Sequence, residues 1–406
     1  MKILIVSYYL PPYIYSQSIQ VGRLLYYLAD FKEFELYVVT AKEKSNVLKS
    51  NYYFDLYNKF RDILEVGFNY NRYIAKIKYV LLPIFYAVPD VYRSWNRKAL
   101  KKIIEKWSSL NFDLIITFSY PQSSHLLGLK LKEYFHTKWL AFFSDPWVDN
   151  PYYNFKYLIK KINQNLEKKV ISFADALIFV SQEMAQLYKN KYPLQSKKMH
   201  TLEHSFDPKL YPLPENIESR RNLLIFRYIG NFSAKRNPEF FLKALNFLFE
   251  ENPSFKNLIK FEIIGGHRII PSLIKRHNLT DTVIQKPFVD YLESHKLMVD
   301  ADVLVVIDAN CKENIFLPAK LIEYLGAKRP ILGITPRGAS ERVIKKTGGF
   351  VVYPDNIKAI KEILKEIIKI WRENKLILHI PSQEVLDEYD IKNKIKEFKK
   401  ILDAIR

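Results

Sequence analysis

Apolar residues along this chain gather in short runs rich in Val and Ile. Between them lie longer stretches whose apolar positions recur with helical spacing. Continuous apolar runs suit strands buried on both faces, the habit of parallel sheets. The clearest series fills 301–352. Val303–Ile307 reads as a strand, a helix opens at Pro318 and closes at Gly326, and 330–334 is the next strand. Ala339–Lys346 reads as a second helix and Phe350–Val352 as a further strand. Pro suits a helix's first turn and Gly its end. A β-α-β-α-β order implies parallel strands with right-handed crossovers, so the fold class is α/β.

The chain opens in the same rhythm, with strands at 2–7 and 34–40 around a helix at 18–29. Further strands are expected at 113–118, 139–143 and 173–181, then at 223–230, 261–266 and 283–288, and a final helix at about 390–402. Segment 41–107 breaks the pattern with many aromatic and basic residues. Within it, 74–88 followed by the cationic stretch 93–102 has the composition of an interfacial amphipathic segment; a helical subdomain packed on the sheet has the same composition. Polar, proline-bearing 212–222 reads as a linker. The expected domains are 1–211, with 41–107 as an insertion, and 212–385, followed by a terminal segment 386–406.

Candidate chemistry lies at the start of the Pro318 helix. The amides of Ala319, Lys320 and Leu321 have no partner within a helix, and the helix dipole adds partial positive charge there. Such an end attracts a phosphate or diphosphate. Lys320 contributes a full charge, and Glu323 lies three residues on, so the two share a face. That pair suits a nucleotide's diphosphate and ribose hydroxyls; an ordinary amphipathic helix with a solvated Lys–Glu pair has the same spacing. Elsewhere, Asp145 and Trp147 follow the 139–143 strand, at the edge where open α/β sheets bind ligands. Asp145 is an acceptor-hydroxyl partner, a general base or a helix cap on this reading. His125, alone within a helix, reads as structural.

The run PAKLIEYLGAKRPILGITPRGASERVI at 318–344 resembles the donor-nucleotide segment of family 4 glycosyltransferases, retaining enzymes of the GT-B fold. Many members carry two glutamates eight residues apart. Glu323 matches the second and Ile315 stands at the first, which places the chain with the P-x-K-x-x-E-Y variant. The D-P-W triplet at 145–147, TLEHSFDP at 201–208, the loop 231–238 and Lys286-Pro287-Phe288 resemble the same group. The resemblance implies two Rossmann-like parallel-sheet domains facing a central cleft, with the terminal helix returning to the first. It implies donor contacts at Gly230, Asn231, Arg236, Phe288, Pro318, Ala319, Leu321 and Glu323, and catalytic roles for Asp145, Lys235 and Lys320. Tyr15, Ser16, Trp147 and His204 would line the acceptor side, with Glu203 beside His204. Two positions depart from the family: Asn231 stands where Arg is usual, and Tyr13 to Ser16 replace common glycines.

Composition narrows the setting. The 406 residues exceed one typical core, and 48% hydrophobic content excludes a disordered chain. The single cysteine, Cys311, rules out a disulfide framework and fits a reducing compartment. The opening MKILIVSYYL lacks a small-residue cleavage site and reads as a buried strand rather than a signal peptide. A formal charge of +20, from 63 basic and 43 acidic residues spread along the chain, suits anionic nucleotide sugars and an anionic membrane surface. No nucleic-acid-binding motif is evident. No histidine–carboxylate cluster has metal-ligand spacing, and the Asp300-Ala301-Asp302 triplet precedes its strand, at the edge away from ligands, and reads as structural.

The expected function is therefore transfer of a sugar from a nucleotide-sugar co-substrate to a hydroxyl acceptor, with retention and without metal or other cofactor. Surface polysaccharide or lipid-linked glycan synthesis is the expected setting, in the cytoplasm and peripherally on the inner membrane face. A nucleotide-sugar epimerase of the same fold and a non-catalytic membrane-surface protein remain open alternatives.

Overall fold

The computed structural model describes residues 1–42, 50, 52–67, 88–151, 155–212, 222–233 and 235–405. Two compact units emerge, Met1–Glu203 with Lys394–Arg406, and His204–Asn393.

The first unit is built on seven parallel strands: β1 (Lys2–Val6), β2 (Glu35–Lys42), β3 (Asp62–Gly67), β4 (Leu114–Phe118), β5 (Lys138–Phe143), β6 (Ala176–Phe179) and β7 (Met199–Thr201). Their order is β3-β2-β1-β4-β5-β6-β7. The second unit holds β8 (Leu224–Asn231), β9 (Ile259–Gly266), β10 (Val283–Lys286), β11 (Val303–Ile307), β12 (Ile331–Ile334) and β13 (Phe350–Val352), ordered β10-β9-β8-β11-β12-β13. Every strand pairing in both sheets is parallel. The central strands β4 and β11 are buried at every position, which is why β11 is an uninterrupted apolar run and β4 is broken only by Thr117. In each sheet the strand order reverses direction beside the first strand of the unit, between β1 and β4 and between β8 and β11. Ligands bind outside the carboxyl ends of the strands at such switch points.

Three expectations need correction. The domain division falls at 203/204 rather than 211/212, because 204–211 is tied to the second unit. The Phe206 amide donates to Tyr389 O at 3.0 Å, and the Tyr211 hydroxyl to Glu323 O at 2.6 Å. The returning segment begins at Lys394 rather than 386. Phe398 stands 6.4 Å from Phe142, and Lys399 pairs with Glu33 at 3.1 Å. The described part of 41–107 is also regular: β3 and a helix, Arg93–Trp107. That helix buries Trp95, Ala99, Ile103 and Trp107, four residues apart on one stripe. The Trp95 indole donates to Val66 O at 3.0 Å and that of Trp107 to Asp62 at 3.0 Å. Its cationic positions are the solvent side of a packed helix. Segment 74–87 and most of the linker, 213–221, lie outside the described residues.

Candidate functional site

At the β8/β11 switch point the carboxyl end of β8 turns at Gly230, whose φ of +128° favours glycine. A Cβ there would stand 2.9 Å from Lys320 Nζ, so the backbone makes room for that ammonium. Lys320 comes from the helix Ala319–Gly326, which follows β11 and is preceded by Pro318 in an extended conformation with no side chain capping it. Its Nζ donates to the Tyr228 hydroxyl at 2.6 Å and stands 3.9 Å from the centre of that ring. The Tyr228 hydroxyl in turn donates to Asn231 O at 2.8 Å, and its ring stacks on Phe232 at 4.0 Å. Arg236 Nη2 reaches the same Asn231 carbonyl at 3.3 Å, while its Nε is buried and has no hydrogen-bond partner among the described residues.

The electrostatics follow from these placements. Burial, and then the Arg236 guanidinium, push the Lys320 ammonium well below the ordinary lysine value; Asp308 opposes them. Asp308 follows β11, and its carboxylate accepts from Thr335 Oγ1 at 2.8 Å and Asn314 Nδ2 at 2.9 Å. Two cations are thus held near one another at a helix N-terminus. An anion arriving there would relieve their repulsion and accept the N–H groups of Ala319 and Lys320. Next to this pocket, β9 ends opposite β8, Gly230 in register with Gly265 and Asn231 with Gly266. The Phe288 ring lies against Gly265, where a Cβ would meet it at 2.4 Å, and the residue is 49% exposed. It offers a flat apolar face beside the cationic pocket.

Not every expected donor residue joins this group. The Leu321 amide donates to Pro318 O at 3.0 Å and its side chain is buried in the core, so that amide is already committed within the helix. Glu323 is 4% exposed. Its carboxylate accepts from Tyr211 at 3.1 Å and Tyr291 at 3.2 Å, and lies 3.4 Å from His295 Nε2. That cage gives the buried carboxylate its hydrogen-bond partners. Lys235 is exposed on the loop. Tyr228, Asp308 and the cage residues carried no motif signal; a tyrosine in an apolar strand reads as core.

The β1/β4 switch point of the first unit is aromatic. The Tyr9 and Tyr92 hydroxyls meet at 2.9 Å, and the Tyr9 ring stands 4.5 Å from that of Tyr15. Tyr92 is 4.5 Å from Tyr8 and 5.8 Å from Tyr120. Burial first, then the Tyr92 hydroxyl, push the Tyr9 phenol far above the ordinary tyrosine value, so it stays a neutral hydroxyl. Tyr15 precedes the helix Ser16–Leu28, and Ser16 is exposed.

After β5, Asp145 is half-buried, its carbonyl accepting from Gln122 Nε2 at 3.2 Å. No described helix starts beside it, which removes the capping role. Trp147 is 1% exposed, with its indole donating to Asn163 Oδ1 at 2.8 Å; it belongs to the core and lines no acceptor surface. His204 is half-buried and, with the second unit beginning there, does not belong to the acceptor-side domain. His125 is buried, bonded through Nδ1 to Thr117 at 2.8 Å, and burial lowers its pKa to about 3. The Asp302 carboxylate is committed to the Ile225 amide at 2.7 Å and Asp300 pairs with Arg227 at 3.4 Å, as a structural triplet should. Among the described residues no group of three or more His, Cys, Asp or Glu is gathered as for a metal, and no helix is long and apolar enough to cross a membrane.

Residues 22–210 match the family model for Glycosyltransferase Family 4, and residues 224–370 that for Glycosyl transferases group 1. No curated protein matches the chain. Sucrose-phosphate synthase from Thermosynechococcus elongatus superimposes with a TM-score of 0.70 at 17% identity, covering 100% of this chain and 98% of that one. Anabaena HepE in complex with UDP and glucose gives 0.70 at 13% identity, with 100% of both chains covered. The lipopolysaccharide outer core galactosyltransferase WaaB gives 0.65 at 11% identity, covering 100% and 99%.

Proposed function

We propose that this chain, of the GT-B fold, is a family 4-like glycosyltransferase that moves a sugar from a nucleoside diphosphate donor to a hydroxyl acceptor with retention at the anomeric carbon. The observation that carries this reading is the desolvated Lys320, held by Tyr228 and Gly230 at an uncapped helix N-terminus near Arg236. In this proposal the diphosphate lies on the Ala319 and Lys320 amides, and the base rests on Phe288 against Gly265. Lys235, exposed on its loop, swings onto the phosphates.

As the bond from the anomeric carbon to the diphosphate breaks and the acceptor oxygen takes its place, negative charge grows on the leaving diphosphate. Lys320, Arg236 and the helix end stabilise that charge. These groups can do so without a metal. Asp145 and the Tyr15–Ser16 edge serve the acceptor. The products belong to surface polysaccharide or lipid-linked glycan synthesis, made in the cytoplasm at the inner membrane face.

UDP is the first nucleotide to try, since HepE is seen with it. A thermal-shift panel of nucleoside diphosphates should show one that raises the melting temperature, with the effect lost in Lys320→Ala. Incubation with the matching sugar nucleotide and a hydroxyl acceptor should release free nucleoside diphosphate. An epimerised sugar nucleotide without release would replace this reading with that of an epimerase.

A further inference from the structure

The charge of the chain is lopsided. The first unit carries 34 basic and 19 acidic residues, the second 29 and 24, so +15 of the total +20 lies in the first. Much of the excess faces solvent on three helices lying side by side: Arg93–Trp107, Ser123–Phe135 and Tyr157–Phe173. Right-handed crossovers between strands that advance in one direction place these helices on one face of the sheet. They are joined by Asn96 Nδ2 donating to Ser123 O at 2.7 Å and Lys132 Nζ to Phe173 O at 2.8 Å.

The Tyr157–Phe173 helix is the most telling. Lys160, Lys161, Lys168 and Lys169 are exposed, and its single acid, Glu167, is buried. That carboxylate is committed inward, to the Tyr188 hydroxyl at 2.9 Å and the Val148 amide at 3.1 Å. The solvent side of the helix therefore has cations and no acid. At its first turn Tyr157 is 81% and Leu158 53% exposed, beside Lys160 and Lys161. On the neighbouring Arg93–Trp107 helix, Arg93, Arg97, Lys98 and Lys102 are also exposed.

A basic helix need not look like this. In the second unit the equally lysine-rich Ile357–Arg372 sets Lys361 and Lys365 each 2.6 Å from Glu251, the interleaved pattern of a solvated surface. A nucleic acid would satisfy the lysines of the first unit but leave an exposed Leu–Tyr pair unused. A bilayer interface takes both, cations at the phosphates and apolar side chains below them.

We infer that the face formed by these three helices docks the protein on an anionic membrane surface, with Tyr157 and Leu158 entering the headgroup layer. This goes beyond the proposed reaction and gives its membrane location a defined surface. The test is co-sedimentation of the full chain with phosphatidylcholine vesicles, with and without phosphatidylglycerol. Binding is expected only with phosphatidylglycerol and should fall at high salt. The combined Lys160→Glu, Lys161→Glu and Lys168→Glu variant should bind at least about tenfold more weakly. The Tyr157→Ser, Leu158→Ser variant should also lose affinity, and keep less binding at high salt than the wild type.

An unchanged melting temperature without ligand shows that each variant is folded, while nucleotide shifts are read separately and bear only on the proposed reaction. Equal binding to neutral vesicles, no binding to anionic ones, or indifference to the charge reversal overturns the inference. Tighter binding of a DNA duplex than of anionic vesicles, lost in the same lysine variant, overturns it in favour of a nucleic-acid partner.

Discussion

The two sheets repeat one topology and present opposite chemistry at equivalent places. At the β8/β11 switch point stand a glycine turn, two cations and an uncapped helix end; at β1/β4 stand converging phenols with their hydroxyls paired. Topology makes each place a candidate, because ligands bind outside the carboxyl edge of a parallel sheet at such switch points. Side chains then decide the ligand. The first arrangement suits a diphosphate. The second, with neutral hydroxyls on aromatic faces, suits an uncharged ring that brings its own hydroxyls. The shared topology therefore says where to look, and under the proposed reaction the cationic end would take the donor and the aromatic end the acceptor.

The contrast can be broken first in the second unit. Glu323→Ala removes the buried carboxylate that accepts from the Tyr291 hydroxyl, while Tyr211 keeps its bond to Glu323 O, so unfolding of the second unit should become easier by about 2 kcal/mol. Denaturant titration reads this directly. A loss of nucleotide affinity with full stability would instead return Glu323 to the ligand.

His125 provides a pH handle confined to the first unit. Its folded pKa of about 3 lies below the ordinary 6.5, so the folded state holds it neutral while the unfolded chain takes up a proton. Stability should fall as pH drops from 6.5 towards 3, by about 1.4 kcal/mol per pH unit from this group. His125→Phe should flatten that slope, measured by denaturation midpoints against pH.

Lys320→Met should be a smaller effect with an unusual sign. The folded pKa is depressed, so keeping the ammonium costs folding free energy at pH values below the ordinary lysine range. The variant should melt a few degrees higher than the wild type without ligand, while gaining nothing from nucleotide. The stabilisation should shrink as pH rises towards the ordinary lysine value. A lower melting temperature would show that Lys320 serves the fold rather than a ligand.

The smallest change sharpens the acceptor side. Tyr9→Phe removes one hydroxyl of a partly buried pair, at a cost of about 1 kcal/mol, and should leave the nucleotide-induced shift untouched. If that shift moved, the two switch points would not be chemically separate.

The strands most legible in the sequence were those buried on both faces. Val303–Ile307 and Ile331–Ile334 fall where the apolar runs place them. The edge strand Asp62–Gly67 was missed because only Val66 in it is fully buried and its polar residues mask the alternation. The Arg93–Trp107 helix was obscured by the cations on its solvent side. At the site, a helix start with Lys320 was readable from local sequence. Its partner Tyr228 lies 92 residues away, and no local pattern joins them.

By itself, then, the sequence determined two α/β halves, the parallel strands at their centres and a cationic helix start, because burial periodicity and helix-end chemistry are local properties. Tertiary structure decided what each of two charged residues on that helix meets. Lys320 meets Gly230 and Tyr228 from β8, whereas Glu323 is enclosed by Tyr211, Tyr291 and His295. A charged side chain's role depends on which distant groups share its desolvation, and only the folded chain brings those groups together.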